Sequence, residues 1–227
     1  MQNSIVTLKN VNKFIGVQHE SIQILRNVDL DIDKGEFIVI MGENPNRRVL
    51  LNIVSASETQ SSGEVMLFNR PLKSLSSWDK DLLRNYKIGV VNKNGDFFYN
   101  LTVYENLLMA LDIERDLGYD EKKKTIEDIL DKLNLKWKKS DFAYALTKEE
   151  QKRLSLARAL IKNPEILLID NAAQELKPEE EECIATLLKS ISKEGKAIVI
   201  FSKNERVVRY ADKLYKLDTN GELNRYF

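Results

Sequence analysis

Short apolar runs alternate with helical patterns along most of the chain. Four of these runs are continuous rather than alternating, as is typical of strands buried on both faces of a parallel sheet: Phe37–Met41, KIGVVNK, PEILLID (164–170) and KAIVIFS (196–202). Between the last two lies KPEEEECIATLLKSISKEG, a helical pattern with acidic residues in its first turn and Lys193 at its end. This order predicts an α/β fold with a parallel core sheet.

The two ends and the middle of the chain follow other patterns. The first thirty residues alternate in the manner of antiparallel strands, SSGEVMLFNRPL adds a further strand, and DKLYKLDTNGEL predicts a hairpin turning at Asn220-Gly221. Residues 103–160 are mainly helical in pattern. Since no repeat or Gly/Ser linker interrupts the sequence, we predict one domain over 1–227, with an N-terminal antiparallel β-subdomain and a helical subdomain at about 93–160.

Composition narrows the choice of function. The chain has 227 residues and zero formal net charge, so no basic field indicates a nucleic-acid partner. Its N-terminus has no basic start followed by an apolar stretch, and no apolar run approaches the roughly 20 residues needed to cross a bilayer, so we expect a cytoplasmic protein.

With one His and one Cys, a His/Cys metal site is not expected, and the helical pattern around Cys183 predicts a buried structural thiol.

The turn between the first apolar run and the next helix has the length of a phosphate-binding loop. A working loop follows G-x-x-x-x-G-K-S/T. Here GENPNRRV begins with Gly42, but Arg47 replaces the second glycine, Arg48 the lysine and Val49 the hydroxyl residue. Taken alone, this turn is coincidental, a variant phosphate site, or a site that has lost its chemistry.

Several stretches on both sides of the loop occur in a fixed order. They are LRNVDLDIDKGEFIVIMG, SSGEV, KIGVVNKN…LTVYENL, LTKEEQKRLSLARALIKNPEILLID and VVRYADKLYKLDTNGEL. In this order and spacing they resemble the ATP-binding subunits of ABC transporters along essentially the whole chain. The subfamily that serves lipoprotein release, macrolide efflux, antimicrobial-peptide resistance and cell division is the most similar. The resemblance implies a P-loop NTPase-like fold that pairs with a second ATP-binding subunit and docks on a membrane permease.

The resemblance also assigns a nucleotide site, most of whose positions carry other residue types. Pro45 removes an amide donor, Arg47 stands where glycine lets the backbone approach phosphate, and Val49 offers Mg²⁺ no oxygen. Asp170 matches the family's magnesium-associated aspartate, and Asn171 replaces the glutamate that acts as general base. The remaining positions of the site are Phe14 for adenine stacking, Gly42, Asn44, Asn46 and Arg48 in the loop, and Lys93 and Lys203 in place of the switch glutamine and histidine. For Phe14, simple packing is the competing interpretation.

The helix that binds the partner's γ-phosphate in the family is altered at its start. In place of Leu-Ser-Gly-Gly-Gln/Glu the chain has Leu146 followed by Thr147, Lys148, Glu149 and Glu150. Two carboxylates therefore stand where an anion should dock. Thr147 with Glu150 still forms the pattern of a capping box, so the helix is expected to form without its phosphate recognition.

In the family, the phosphate loop of one subunit and the γ-phosphate-binding helix of the other together form each nucleotide site. Both of these parts are altered here, so neither a homodimer nor a heterodimer would have an intact site. We expect a pseudo-ATPase that acts as a structural or regulatory subunit on the inner face of the membrane, with no tightly bound ATP or Mg²⁺. A weak or unconventional ATPase and a nucleotide sensor stay open as alternatives.

The candidate permease contact consists of Phe97, Phe98, Tyr99 and Tyr104, since aromatic residues are enriched at interface cores. Packing in the domain's own core explains each of these residues equally well.

Without Mg²⁺, a partly buried Asp170 carboxylate needs a compensating cation. In the family fold Arg48, Lys93 and Lys203 would converge near it, and Arg47 is a further candidate from the loop. The sequence therefore predicts an ion pair that closes the site internally.

Overall fold

The computed structural model describes residues 4–17, 20–43, 45–93, 95–111, 117–170 and 176–227. Its central sheet has six strands: β3 (Phe37–Gly42), β6 (Ile88–Val91), β7 (Ile166–Asp170), β8 (Ala197–Ser202), β9 (Lys213–Leu217) and β10 (Leu223–Arg225). They lie in the order β10-β9-β3-β8-β7-β6, and all pairings are parallel except that of β9 with β10. The predicted parallel core sheet is confirmed.

A second sheet is antiparallel and is built from the beginning of the chain. It contains β1 (Ser4–Val17), β2 (Glu20–Asp33), β4 (Ser62–Leu67) and the short β5 (Arg70–Pro71), in the order β2-β1-β4-β5. Its apolar side chains share a core with one face of the central sheet and with helix α1 (Asn46–Val54). This core supports the start of α1, where the loop residues lie.

Helices cover the other face of the central sheet. They include α3 (Val103–Leu111), α4 (Tyr119–Lys132), α5 (Lys148–Leu160) and α6 (Pro178–Lys193), while α2 (Ser77–Tyr86) leads into β6. Their apolar faces form a second core with the central strands. Strands β7 and β8 are buried along their whole length, which explains why both runs are continuously apolar. Among the described residues, none of the helices combines the length and apolar character needed to cross a bilayer.

Cys183 is exposed, so the predicted buried thiol is wrong. The buried face of α6 is formed by Ile184, Ala185, Leu188 and Ile191, and Cys183 lies one position before this stripe. One residue corresponds to about 100° around a helix, which is enough to turn the thiol toward solvent.

The C-terminal hairpin packs against the end of β3. Its turn forms at Asn220-Gly221 as predicted, with Leu223 paired to Leu217. On the other side of β9, Gly42 is registered with Leu217. A Cβ atom at Gly42 would lie 2.9 Å from the Leu217 carbonyl oxygen. The first glycine of the loop is thus needed for close backbone packing, whatever the loop binds.

We predict that Gly42→Ala lowers the free energy of unfolding by about 1–3 kcal/mol, because the added methyl group must push β9 away from β3. Urea unfolding followed by circular dichroism measures the loss. Gly16→Ala is the matched control, since a Cβ atom there meets no atom within 4 Å. Equal stability of the two variants would contradict the packing explanation.

Candidate functional site

The loop between β3 and α1 takes up helical backbone geometry at its last residue, before α1 begins. Pro45 has α-helical backbone angles, and the Arg47 amide donates to the Glu43 carbonyl oxygen at 3.0 Å. The Val49 amide donates to the Pro45 carbonyl oxygen at 3.1 Å. A phosphate cradle requires amides that point freely at the ligand at a helix N-terminus. The amides of Arg47 and Val49 are instead occupied by backbone carbonyls of the loop.

The Arg47 side chain enters the interior at the end of β7. Arg47 is 3% exposed, and its Nη2 lies 3.2 Å from Oδ1 of Asp170, which is itself 5% exposed. Its Nη1 donates to the Gly42 carbonyl oxygen at 3.2 Å. The guanidinium therefore bridges the first glycine of the loop and the carboxylate that the family associates with magnesium.

Arg48 completes the enclosure of the carboxylate from the solvent side. Its Nη1 lies 3.1 Å from Oδ2 of Asp170, and 48% of its side chain is exposed. Each carboxylate oxygen thus has its own arginine. The predicted ion pair between Asp170 and a loop arginine is confirmed, with both arginines taking part.

The two lysines expected to share Asp170 do not form ion pairs with it. Lys203 forms its ion pair with Glu43, and Lys93 lies exposed in the turn after β6. Glu43 lies in the same loop and attracts the Lys203 ammonium at the surface, whereas Asp170 is already enclosed by the two guanidinium groups. Among the residues that the structure describes, the compensating charge on Asp170 comes from the loop alone.

Asn46 and Val49 of the loop also face the protein. The Asn46 side-chain amide donates to the carbonyl oxygens of Asp218, at 2.9 Å, and Thr219, at 3.3 Å. Val49 is buried in the core next to the antiparallel sheet. Asn44, like Asn171, lies outside the described residues. The loop is therefore tied to the C-terminal hairpin and to the core.

The donor set around Asp170 does not fit a Mg²⁺–nucleotide complex. Mg²⁺ takes oxygen ligands in a near-octahedral arrangement. Val49 has no side-chain oxygen, and both carboxylate oxygens of Asp170 are bonded to arginine. No cluster of three or more His, Cys, Asp or Glu side chains suited to a metal is present in the part of the chain that the structure describes.

The start of α5 has the predicted capping box. The Glu150 amide donates to Thr147 Oγ1 at 3.3 Å, and the Thr147 amide donates to a Glu150 carboxylate oxygen at 2.8 Å. The Glu149 carboxylate accepts hydrogen bonds from Arg153, the shorter at 2.6 Å. Lys148 forms the first turn with these two glutamates. The helix start is thus satisfied by its own side chains, and the capping carboxylate lies where an incoming anion would need the amides.

Phe14 lies on β1, and its side chain is 43% exposed. Its amide donates to Ser61 Oγ at 3.0 Å, which holds the strand beside the turn before β4. The ring is accessible from solvent, and a role in adenine stacking stays a prediction.

The aromatic turn after β6 divides into buried and exposed members. Phe97 and Tyr104 are half-buried and pack against the second core, whereas Phe98 and Tyr99 are 49% and 50% exposed. Packing in the core therefore accounts for the first two only.

Two further aromatic residues, Phe142 and Tyr144, were not predicted as site residues. Their rings stack at 5.4 Å and are 44% and 61% exposed. The Tyr144 amide donates to the Tyr99 carbonyl oxygen at 3.2 Å, which brings both segments together. The alternating aromatics in FAYA, directly before Leu146, are the sequence signal that could have indicated them. We call Phe98, Tyr99, Phe142 and Tyr144 the aromatic surface.

Comparison with known proteins agrees with this architecture. Residues 25–174 match the family model described as ABC transporter. The chain is 32% identical to the lipoprotein-releasing system ATP-binding protein LolD of Rickettsia bellii, with 99% of each chain covered. It is 26% identical to the macrolide export ATP-binding/permease protein MacB of Mannheimia succiniciproducens, covering 97% of this chain and 34% of the longer relative. The dimeric structure of MJ0796, a bacterial ABC transporter cassette, superposes with a TM-score of 0.87 at 30% identity and 97% coverage of both chains.

The pairing of Asp170 with Arg47 and Arg48 leads to a prediction about the free energy of unfolding. Asp170→Asn should lower the free energy of unfolding by about 3–5 kcal/mol, because it leaves the buried Arg47 charge uncompensated. Arg48→Gln should cost less than about 1 kcal/mol, since its ion pair is half exposed. Urea denaturation measures both changes.

A double variant separates lost pairing from lost packing. Arg47→Met with Asp170→Leu removes both buried charges and should recover most of the stability lost in Asp170→Asn. Purely additive losses would show that the pair is not coupled.

Proposed function

This chain belongs to the ABC transporter family of ATP-binding domains, and we propose that it is a non-catalytic member that holds or regulates a membrane permease. The observation that carries the proposal is the Asp170 carboxylate with an arginine on each oxygen. An arginine occupies the place that family members leave open for magnesium and phosphate. The proposed role is therefore structural or regulatory.

Electrostatics support a closed site. A Mg²⁺ ion reaching Asp170 would have to displace two guanidinium groups. One of them, on Arg47, is 3% exposed and therefore has almost no access to solvent that could replace its partner. The displaced cation and the metal would then repel each other at short range. Nucleotide binding would need the loop to unwind and the amides of Arg47 and Val49 to leave their carbonyl partners.

The second half of the site supports the same proposal. In the family the start of α5 faces the phosphate bound by the partner subunit. Here Glu149 and Glu150 contribute two negative charges to that first turn. The Glu150 carboxylate accepts a hydrogen bond from the Thr147 amide, and the Glu150 amide donates to Thr147 Oγ1, so neither amide is free for an anion. A second copy of this chain, or a different partner subunit, would thus meet an unfavourable phosphate contact.

The relatives indicate what the chain assembles with. MacB carries ATP-binding and permease parts in one protein, and MJ0796 is a dimer. We propose that this chain likewise works as one of two paired ATP-binding-type subunits, identical or different, on the cytoplasmic face of a permease. The aromatic surface is the contact that we assign to the permease.

Isothermal titration tests the closed site. We expect Mg-ATP to bind with a Kd weaker than about 1 mM, because binding must break the buried arginine enclosure. Micromolar binding without turnover would favour a nucleotide sensor. Turnover that disappears in Asp170→Ala would establish an unconventional ATPase, for which half-exposed Arg48 is the group able to move.

A restored variant provides the positive control. Combining Arg47→Gly, Arg48→Lys and Val49→Ser frees Asp170 and returns the phosphate-loop pattern. We expect this variant to bind Mg-ATP at least about tenfold more tightly than the natural chain. Adding Asn171→Glu tests whether hydrolysis returns as well. A restored loop with no gain in binding would show that closure does not depend on these three residues.

A further inference from the structure

Trp137 projects from the helical subdomain almost uncovered. It is 88% exposed, the largest value among the exposed large hydrophobic residues that the structure describes. It lies in a one-turn 3₁₀ helix, Lys136–Lys138, in which no residue is buried. A tryptophan buries about 150–250 Å² when it packs in a core or an interface. The ring therefore offers a large apolar area that the described part of the chain does not cover.

The turn that carries Trp137 is anchored by its backbone. Leu135, two positions before the ring, is 0% exposed, and its carbonyl oxygen accepts a hydrogen bond from the Lys138 amide at 2.9 Å. The Lys139 carbonyl oxygen accepts a hydrogen bond from the Tyr104 amide at 3.0 Å, which ties the end of the turn to the start of α3. The backbone that presents the ring is thus fixed before any partner arrives, so little ordering entropy is lost on binding.

The surroundings of Trp137 combine aromatic rings with ammonium groups. The Lys139 ammonium nitrogen lies 4.9 Å from the centre of the Tyr104 ring. Burial raises the pKa of the Tyr104 hydroxyl, and the adjacent Tyr119 side chain raises this pKa further. Tyr119 is itself 71% exposed. We call the group of side chains beside Tyr104 the lysine–tryptophan ridge, which consists of Tyr119, Lys136, Trp137, Lys138 and Lys139.

The lysines of the ridge are held only by ion pairs at the surface. Lys139 pairs with Glu127 at 2.8 Å, and Lys136 pairs with Asp131 at 3.5 Å. The hydrogen bond from Lys139 is the main cause that lowers the pKa of the Glu127 carboxyl. The charges of Lys123 and Lys136 act in the same direction, so three ammonium groups lie around one carboxylate. Surface pairs contribute about 0–1 kcal/mol, so these ammonium groups can turn toward another anion at little cost.

Resting on the position at a permease proposed above, we propose that the lysine–tryptophan ridge inserts the Trp137 ring into the headgroup region of an anionic bilayer. Tryptophan and tyrosine are enriched at membrane–water interfaces, where their amphipathic rings lie at the level of the headgroups. Lysine stems extend along apolar surface while their ammonium groups stay in the polar layer. Each basic residue near an anionic leaflet contributes about 1 kcal/mol to binding.

Residue types and position favour lipid over a protein partner. Tryptophan occurs in both kinds of contact, but lysine is depleted from protein–protein interfaces. Trp137 has a lysine on each side in the sequence. The turn continues directly into Phe142 of the aromatic surface, and the Val103 amide donates to the Asp141 carbonyl oxygen at 2.9 Å. The ridge thus borders the surface assigned to the permease, and a permease bound there brings a bilayer close to it.

The chain contains a second tryptophan that serves as an internal control. Trp78 is 71% exposed on α2, but its neighbours in the sequence are Ser77 and Asp79 instead of lysines. Hydrogen bonds from Ser76 and Arg70 lower the pKa of Asp79 to about 2, so this carboxylate is charged at neutral pH. The two tryptophans therefore have similar exposure, but only the one in the ridge lies between two lysines.

Vesicle titration followed by tryptophan fluorescence tests the proposal. Trp78→Phe leaves Trp137 as the single tryptophan, and Trp137→Phe leaves Trp78. Each full-length variant is titrated with vesicles of equal parts phosphatidylcholine and phosphatidylglycerol, and with vesicles of phosphatidylcholine alone. With the anionic vesicles, we expect the Trp137 emission to shift to shorter wavelength and to become protected from quenching by acrylamide. Trp78 should show neither change.

Co-sedimentation with the anionic vesicles gives the magnitude. Trp137→Ser should weaken binding at least about tenfold, because it removes the inserted ring. Lys136→Gln with Lys139→Gln should also weaken it at least about tenfold and leave binding to phosphatidylcholine vesicles unchanged. Lys138, which pairs with two carboxylates, is kept. Trp78→Ser is the matched control and should bind as the natural chain does. Thermal melting monitored by circular dichroism establishes that each variant is folded.

Unchanged Trp137 emission on the anionic vesicles would overturn the proposal and leave the ridge to a protein partner. Equal shifts of both tryptophans, or equal binding of Trp137→Ser and the natural chain, would overturn it as well, since adsorption would then not depend on the ridge. These vesicle measurements contain neither permease nor nucleotide. A failure here therefore leaves the permease assignment standing, and tight Mg-ATP binding would reject the non-catalytic assignment without affecting the ridge.

Discussion

The Asp170 carboxylate lies at the end of a strand that is buried along its whole length, and the guanidinium groups of Arg47 and Arg48 enclose it. A buried carboxylate needs a cation, and the identity of that cation decides what the site can do. Because the loop supplies the cation itself, the Arg47 amide is bonded within the loop, and the side chains of Asn46, Arg47 and Val49 point inward. The phosphate-loop position thereby becomes part of the protein's interior.

This arrangement keeps the parts of the fold that build the domain and changes the parts that would bind nucleotide. Gly42 allows β9 to lie against the end of β3, and Thr147 caps α5. Arg47, Val49 and Glu149 occupy positions where packing tolerates a side chain but phosphate would not. The aromatic surface presents Phe98 on a turn whose backbone is hydrogen-bonded at both ends of that residue by the buried Asn106 side chain. The molecule is thus well organised for contact with another protein.

The sequence predicted the sheets and helices well, because buried parallel strands and capped helices leave strong local patterns. It also indicated that Asp170 needs a compensating cation. It did not resolve which cation, since Lys93 and Lys203 are equally close in topology and only side-chain packing separates them from Arg47 and Arg48. Cys183 was misplaced for a similar reason: a shift of one helical position decides burial. The alternating aromatics of FAYA mark Phe142 and Tyr144, but their place beside Tyr99 depends on a pairing between distant segments that this local pattern does not reveal.

The position of β3 has a consequence for how the chain folds during synthesis. Although β3 comprises residues 37–42, both of its neighbours in the sheet, β8 and β9, belong to residues 197–217. The centre of the sheet therefore cannot close until nearly the whole chain has left the ribosome. Contacts of such long sequence separation form slowly, and both edges of an apolar strand stay unpaired meanwhile. The strand order therefore exposes both edges of β3 until late in synthesis, and it places the pairing of Arg47 with Asp170 after the closing of the central sheet.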